Sequence, residues 1–440
     1  MILIMFVFEA EKTFLKKQVG NLPMPVILSR QRPLDSLSSH KLQSLGQLCL
    51  RFALFNFFLV TLLGLLLRSY FFLPSTPFEY KYLLHGHSHF AFGGWIQPLL
   101  LWIILQYFPS LSSQVKYHHW RNIVALTLVS SYGMLASFPF QGYGPVSIVF
   151  STVAVLSGYY LTMVLWKASN PTKMDPSMRI LRAGLLYQVL ASIGPFATGP
   201  LIAMGKAGSP LYFDSIYFYL HFQYNGWFCF LLLSVVYSLL KNPIHGKKVF
   251  LLFISGTFLS FFLSTLWNHP PSGFYILGGL GALLQLVGVL FVLKDFNKLE
   301  QHIFYALLLK LGMAAFVAKI ILQTLSAIPA VADLAYQNRT FIIAYLHLVL
   351  LGFISLSGFS LMIRCLLPTI ILRIGIVIFI FALFATESLL ILQGMGSTIG
   401  SALFHQWLLW SFTCLFPVSS FLIMTGRKKS GNIGHRRSPD

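Results

Sequence analysis

Long apolar runs, broken by short polar or charged interruptions, dominate this chain. A helix needs ~20 consecutive apolar residues to cross a bilayer. Windows of that length, bounded by charge, proline or glycine, recur over roughly 46–69, 82–108, 121–140, 145–167, 179–203, 215–240, 248–268, 274–293, 302–323, 340–365, 368–393 and 399–425. The pattern predicts an all-α polytopic membrane protein of about twelve transmembrane helices. No internal repeat and no low-complexity tract interrupts it.

Composition removes the alternatives. Of 440 residues, 56% are hydrophobic and 10% charged, against about 25% charged in soluble proteins. Mean hydropathy is +0.75. The four cysteines (Cys49, Cys229, Cys365, Cys414) lie inside apolar runs and form no paired motif, so no disulfide framework, cysteine-held zinc site or covalent haem attachment is encoded. The net charge of +20 would suggest nucleic acid in a soluble protein. Here the basic residues occupy loops between apolar runs, and topology explains them without nucleic acid.

Lys116, Arg121, Lys167, Lys173, Arg179, Arg182, Lys241, Lys247, Lys248, Lys294, Lys298, Arg364 and Arg373 share one side with the basic N-terminal and C-terminal segments. The other side holds little beyond Arg68, Lys81, Lys206 and Arg339. Positive charge collects on the cytoplasmic side, so both termini are expected there, in the inner (cell) membrane. MILIMFVF at the start is too short to span and lacks the basic start of a signal peptide. Residues 1–44 read as a cytoplasmic extension, with Met24 an alternative start. Residues 45–425 form the twelve-span domain, and 426–440 a basic cytoplasmic tail.

Thirteen histidines give the chain its candidate chemistry. His40, His118, His119, His245, His302 and His435 fall on the cytoplasmic side and read as loop or interface residues. The other seven, His85, His87, His89, His221, His269, His347 and His405, fall near the outer ends of spans. His89, His221, His347 and His405 each lie six or seven residues inside a predicted span start, ~10 Å deep at 1.5 Å per residue. Ionisable side chains at that depth need a partner. An interhelical hydrogen bond, for instance to a backbone carbonyl, is one solution. A shared metal or cofactor held by neutral imidazoles is the other, and the recurrence at one depth favours it.

The densest motif is YLLHGHSHFAFGGW. Positions four apart share a helix face and positions two apart do not, so His85 and His89 point one way and His87 another. Gly93 and Gly94, a turn deeper, permit close approach by a helix or flat cofactor. YLHFQYNGW supplies His221, Tyr224 and Asn225. AYLHLVLLGF supplies His347 followed by Gly352, and LWNHPPSGFY supplies Asn268 and His269 before two prolines.

On these motifs the chain resembles a divergent haem-copper oxidase superfamily subunit I, of the cytochrome c oxidase and nitric oxide reductase large-subunit type. The resemblance implies a haem, of b type, ligated near the outer face by second-span and tenth-span histidines. Those would be His89, with His85 or His87 as alternatives, and His347. It further implies copper or non-haem iron at His221 and His269, electron transfer or terminal reduction, and a partnership with cytochrome or other oxidase-like subunits.

The departures are specific. The family's tenth-span His-x-His pair has Tyr345 in its first position here, removing the usual high-spin haem ligand. Asn268 stands in the seventh-span His-His pair. Phe222 and Gln223 replace the Pro and Glu that follow the sixth-span histidine. Glu387 is the one acidic residue well inside a predicted span. Lys319 lies deep in the ninth span, as a candidate propionate partner or proton relay. Lys310 is placed to snorkel inward. Arg339 and Arg68 sit near the outer boundary, where either would pair a propionate or anchor the interface. Two other classes keep the same histidines: a non-catalytic paralogue, and a membrane transporter or copper or zinc carrier. Against transport, no matching pair of broken helices marks the two halves.

Overall fold

The computed structural model describes residues 36–426, apart from 74–76, 170–173, 241–242, 298, 300–302 and 366–367. The basic tail, Met24, His302, His435, Lys173, Lys241 and Lys298 lie outside the described residues. The chain divides into residues 1–42, of which 36–42 are described and helical, and the unit 43–440. The expected division at 44 therefore falls within the first helix.

Among the described residues no strand forms, and twelve helices are long and apolar enough to cross a membrane. We number them α1 (Ser39–Ser69), α2 (Tyr80–Tyr107), α3 (Tyr117–Gln141), α4 (Pro145–Ala168), α5 (Pro176–Ala203), α6 (Pro210–Leu239), α7 (Gly246–Asn268), α8 (Ser272–Phe296), α9 (Tyr305–Leu325), α10 (Arg339–Cys365), α11 (Ile370–Gly394) and α12 (Ala402–Thr425). Caps explain several starts. Asp175, Ser209, Thr369 and Ser401 each accept a hydrogen bond from a backbone N–H in the first turn of the helix that follows, satisfying donors the helix leaves open.

Consecutive spans pack as antiparallel neighbours, and α2, α6 and α10 meet one another at the centre. Polar side chains knit that centre. Trp227 Nε1 donates to Gln97 Oε1 (3.0 Å), joining α6 to α2, and Trp95 Nε1 donates to Ser355 Oγ (3.3 Å), joining α2 to α10. Asn56 Nδ2 donates to the Gly94 carbonyl (2.7 Å), and Tyr132 OH donates to Asn56 Oδ1 (2.7 Å), which adds α1 and α3. On the basic side, buried Asp295 accepts from Tyr237 OH (3.1 Å), His245 N–H (3.1 Å) and His245 Nδ1 (2.9 Å). His245, expected as a loop or interface residue, helps fasten α6, α7 and α8 from the loop before α7. Asp295 and Asp214 lie in the last and early turns of their helices, whereas Glu387 lies two turns inside α11.

Glycine sets the closest approach. A Cβ on Gly281 of α8 would fall 2.3 Å from Ser260 N and 2.8 Å from the Gly256 carbonyl of α7. Small residues allow this backbone contact where lipid supplies no hydrophobic drive. Gly281→Ala should cost about 1–3 kcal/mol and lower the melting temperature in detergent. Gly279→Ala, whose nearest neighbour would be 3.6 Å away, should leave it unchanged. Equal melting of the two variants would show that the α7–α8 contact is looser than described.

Candidate functional site

The second-span histidines divide by helical phase. His89 stacks on Phe138 of α3 (4.3 Å between centroids, 8° between planes), and its Nε2 lies 2.8 Å from Tyr143 OH. His85 packs edge-on to Tyr143 at 4.8 Å. Both therefore face α3. Between them, Gly86 lets Pro139 of α3 close in: a Cβ there would be 3.0 Å from Pro139 Cγ. His87 takes the opposite face. A Cβ on Gly64 of α1 would lie 3.2 Å from its Cε1, so that glycine makes room for the ring. The ring approaches the Val60 carbonyl, yet Nδ1 is buried without a well-formed hydrogen bond. Across from it, on α10, His347 lies within electrostatic range.

His347 has a partner of its own. Its Nδ1 lies 3.1 Å from Glu387 Oε1 on α11, with the two side chains 31% and 14% exposed. An ionised Glu387 requires the proton on Nδ1, leaving Nε2 as the open lone pair. Arg68 of α1 is within charge range of both Glu387 and Tyr80, and the Arg339 guanidinium lies 5.9 Å from the Tyr80 ring. Gly64, Arg68, His87, Arg339, His347 and Glu387 thus gather α1, α2, α10 and α11 around one site.

His89, the first choice, is turned to α3, whereas His87 lies against α1 and is the second-span histidine within electrostatic range of His347 on α10. The 85/89 stripe and the 87 stripe are distinct in any helix. Which stripe meets α10 depends on the packing against α1 and α3, which local spacing does not carry.

The metal pair separates as well. His221 is buried, its Nε2 2.9 Å from the Thr257 carbonyl, and Nδ1 accepts from Asn225 Nδ2 (3.2 Å) and Ser264 Oγ (3.5 Å). Both nitrogens are engaged. His269 lies past a closing 3₁₀ turn in the left-handed region (φ 51°), 73% exposed and 3.9 Å from Asp333. Pro270 and Pro271 follow at once, so α7 ends there and cannot turn His269 inward. Asn268 and Trp267 donate to the Asp214 carboxylate (3.1 and 2.9 Å). Among the described residues no group of three or more His, Cys, Asp or Glu could hold a metal ion.

His405 is buried and locally bound. Its Nδ1 accepts from Ile399 N–H (3.2 Å), and Nε2 lies 3.2 Å from the Leu389 carbonyl. With α6 starting at Pro210 and α12 at Ala402, His221 lies about three turns in and His405 in the first turn. The expected equal spacing from span starts does not hold.

Lys319 is 2% exposed and has no hydrogen-bond partner among the described residues. It lies within electrostatic range of His221 and Cys229 on α6, near the Tyr224–Tyr345 ring pair (6.4 Å) that joins α6 to α10. Lys310 is exposed, as a snorkelling residue would be. Glu387 and Gly64 were missed as site residues. Glu387 did carry a signal, as an acid deep in an apolar run, but its partner lies 40 residues away.

The π-helical turns Ala91–Ile96, His221–Phe228 and Leu348–Ser355 occur in the three central spans, each beginning at or within two residues of a histidine. Such turns cluster at functional sites. No known family model matches the chain, and no curated protein matches it.

His221→Ala should leave Asn225 Nδ2 unpaired and strip the Thr257 carbonyl of one of its two side-chain donors, Ser260 Oγ remaining (3.3 Å), at a cost of about 1–3 kcal/mol. A thermal melt in detergent checks this, and unchanged stability would show that His221 is not the tie between α6 and α7.

Proposed function

We propose that this protein is a haem-binding integral membrane protein that transfers electrons, its haem clamped by His87 and His347 near the outer face. The observation that carries the reading is the pairing of His347 Nδ1 with Glu387, opposite a His87 whose Nδ1 has no well-formed bond. Ligating histidines characteristically give their second nitrogen's proton to a carboxylate or carbonyl, which fixes the tautomer and raises ligand basicity. Arg68 and Arg339 suit the propionates of a haem set in this cluster.

A bound haem would supply one-electron redox chemistry, with its potential tuned by axial imidazoles and burial. The chain's own residues hold the imidazoles apart, fix the His347 proton on Nδ1 and place charge at the outer rim. If His87 and His347 both held the haem, no position would be left open for a gas, and Tyr345 supplies no second tenth-span imidazole. These features favour electron transfer over terminal reduction. The donor would be a separate protein, such as an oxidase-like subunit, or a lipid-soluble carrier in the inner membrane.

A reduced-minus-oxidised spectrum of the purified protein tests this. The sharp bands of a bis-imidazole haem should be present, lost in His87→Ala and in His347→Ala, and kept in His89→Ala and His405→Ala. Glu387→Gln should weaken haem retention by about 10–100-fold and raise the midpoint potential, because a less basic imidazole favours the ferrous state. Loss of the bands in His89→Ala with retention in His87→Ala would reverse the ligand assignment. No haem after reconstitution would leave metal carriage or transport by the same histidines.

A further inference from the structure

Away from the histidines, the lipid-facing side of α4, α5 and α7 carries a groove of about 1040 Å³. Its origin is a break in α5. The helix stops at Ala191 and restarts at Ile193, with Pro195 in the new first turn. Beyond the break, α5 leans on α6 so closely that a Cβ on Gly194 would fall 2.3 Å from the Ser215 carbonyl. Tyr159 of α4 bonds to Ser192 at the break, and Tyr187 bonds to the Ile254 carbonyl of α7. Exposed Leu186, Ile193, Phe196 and Phe258 form apolar walls.

Tyr159 and Val189 also line a second hollow of about 320 Å³, so the two adjoin at these residues. This second hollow ends at Trp166 and Lys167, the last turn of α4. The Arg182 guanidinium stacks 3.5 Å over the Trp166 ring and donates to the Ser169 carbonyl (3.5 Å). No acidic side chain lines either hollow among the described residues. The result is a long apolar trough with two cations at one mouth, at the edge of a membrane span.

We propose that this trough binds one anionic phospholipid, an acyl chain lying along α5 and the phosphate held by Lys167 and Arg182. The charge decides the occupant. An acyl chain alone fits any lipid, whereas two cations with no acidic partner among the described residues select an acidic headgroup. A guanidinium already stacked on an aromatic ring is pre-organised to fork onto phosphate oxygens. None of these residues belongs to the His87–His347 cluster, so the site stands or falls independently of haem.

The test uses the full-length protein, delipidated in neutral detergent and offered phosphatidylglycerol or phosphatidylcholine, with retained lipid counted by native mass spectrometry. One phosphatidylglycerol should be retained several-fold more than phosphatidylcholine. The double variant Lys167→Gln, Arg182→Gln should abolish that preference. Val189→Trp, which fills the waist between the hollows, should abolish retention while circular dichroism stays unchanged. Lys167→Gln alone should halve the preference or more, and serves if the double variant does not fold. Equal retention of the two lipids, an undiminished preference in the variants, or a quinone in place of lipid would overturn the proposal.

Discussion

A carboxylate within an apolar bundle is tolerable only when something compensates its lost hydration, and Glu387 is compensated by His347. That single contact has three consequences. It locks α10 against α11 in rotation, because both partners must meet at 3.1 Å. It assigns the imidazole proton to Nδ1, so the opposite nitrogen faces away from α11. And it places negative charge beside Arg68, which draws α1 into the same site. The helices around His87 are arranged to suit this pair, with Gly64 clearing the space that any larger residue would fill.

The histidines sort by how completely the protein satisfies them. His221 and His405 use both nitrogens on fixed protein groups, as residues that tie helices together do. His89 has a stacked ring and a phenol. His87 has a buried nitrogen lacking a well-formed bond, and His347 has one nitrogen committed and one free. An orphaned buried polar atom is rare in native structures and needs a reason. For His87 that reason would be a bound group, with His347 within electrostatic range to share it.

The spans were legible because hydrocarbon admits few alternatives: a run of ~20 apolar residues must be helical throughout. Their ends were less so. Asp214 interrupts the apolar run, so it and the Pro-Leu-Tyr-Phe turn before it fell outside the predicted sixth span although α6 begins at Pro210. The division of YLLHGHSHF into two stripes could be read from helical geometry, but not the direction of each, which is fixed by Pro139 and Gly64 on other helices. Glu387 stood out locally as an acid deep in an apolar run, and its meaning depended on a residue in another span. The exposure of His269 has a local cause that was in view: two prolines end a helix, and a residue just before them leaves it.

The α6–α9 side of the bundle bears on the redox reading from the other direction. In its ammonium form, Lys319 within electrostatic range of His221 opposes a divalent cation there, and in low dielectric such repulsion is stronger than in water. His221 already spends its lone pair on Asn225 and Ser264. Tyr345 meets Tyr224 where an imidazole would be needed to hold a second haem. Cation, engaged imidazole and aromatic pair each disfavour a metal on that side, by charge, by lone-pair occupancy and by donor type. On the proposed haem reading, redox chemistry in this bundle would therefore rest on the α2 and α10 histidines. That reading would favour one haem passing electrons over a second metal at which oxygen could be reduced.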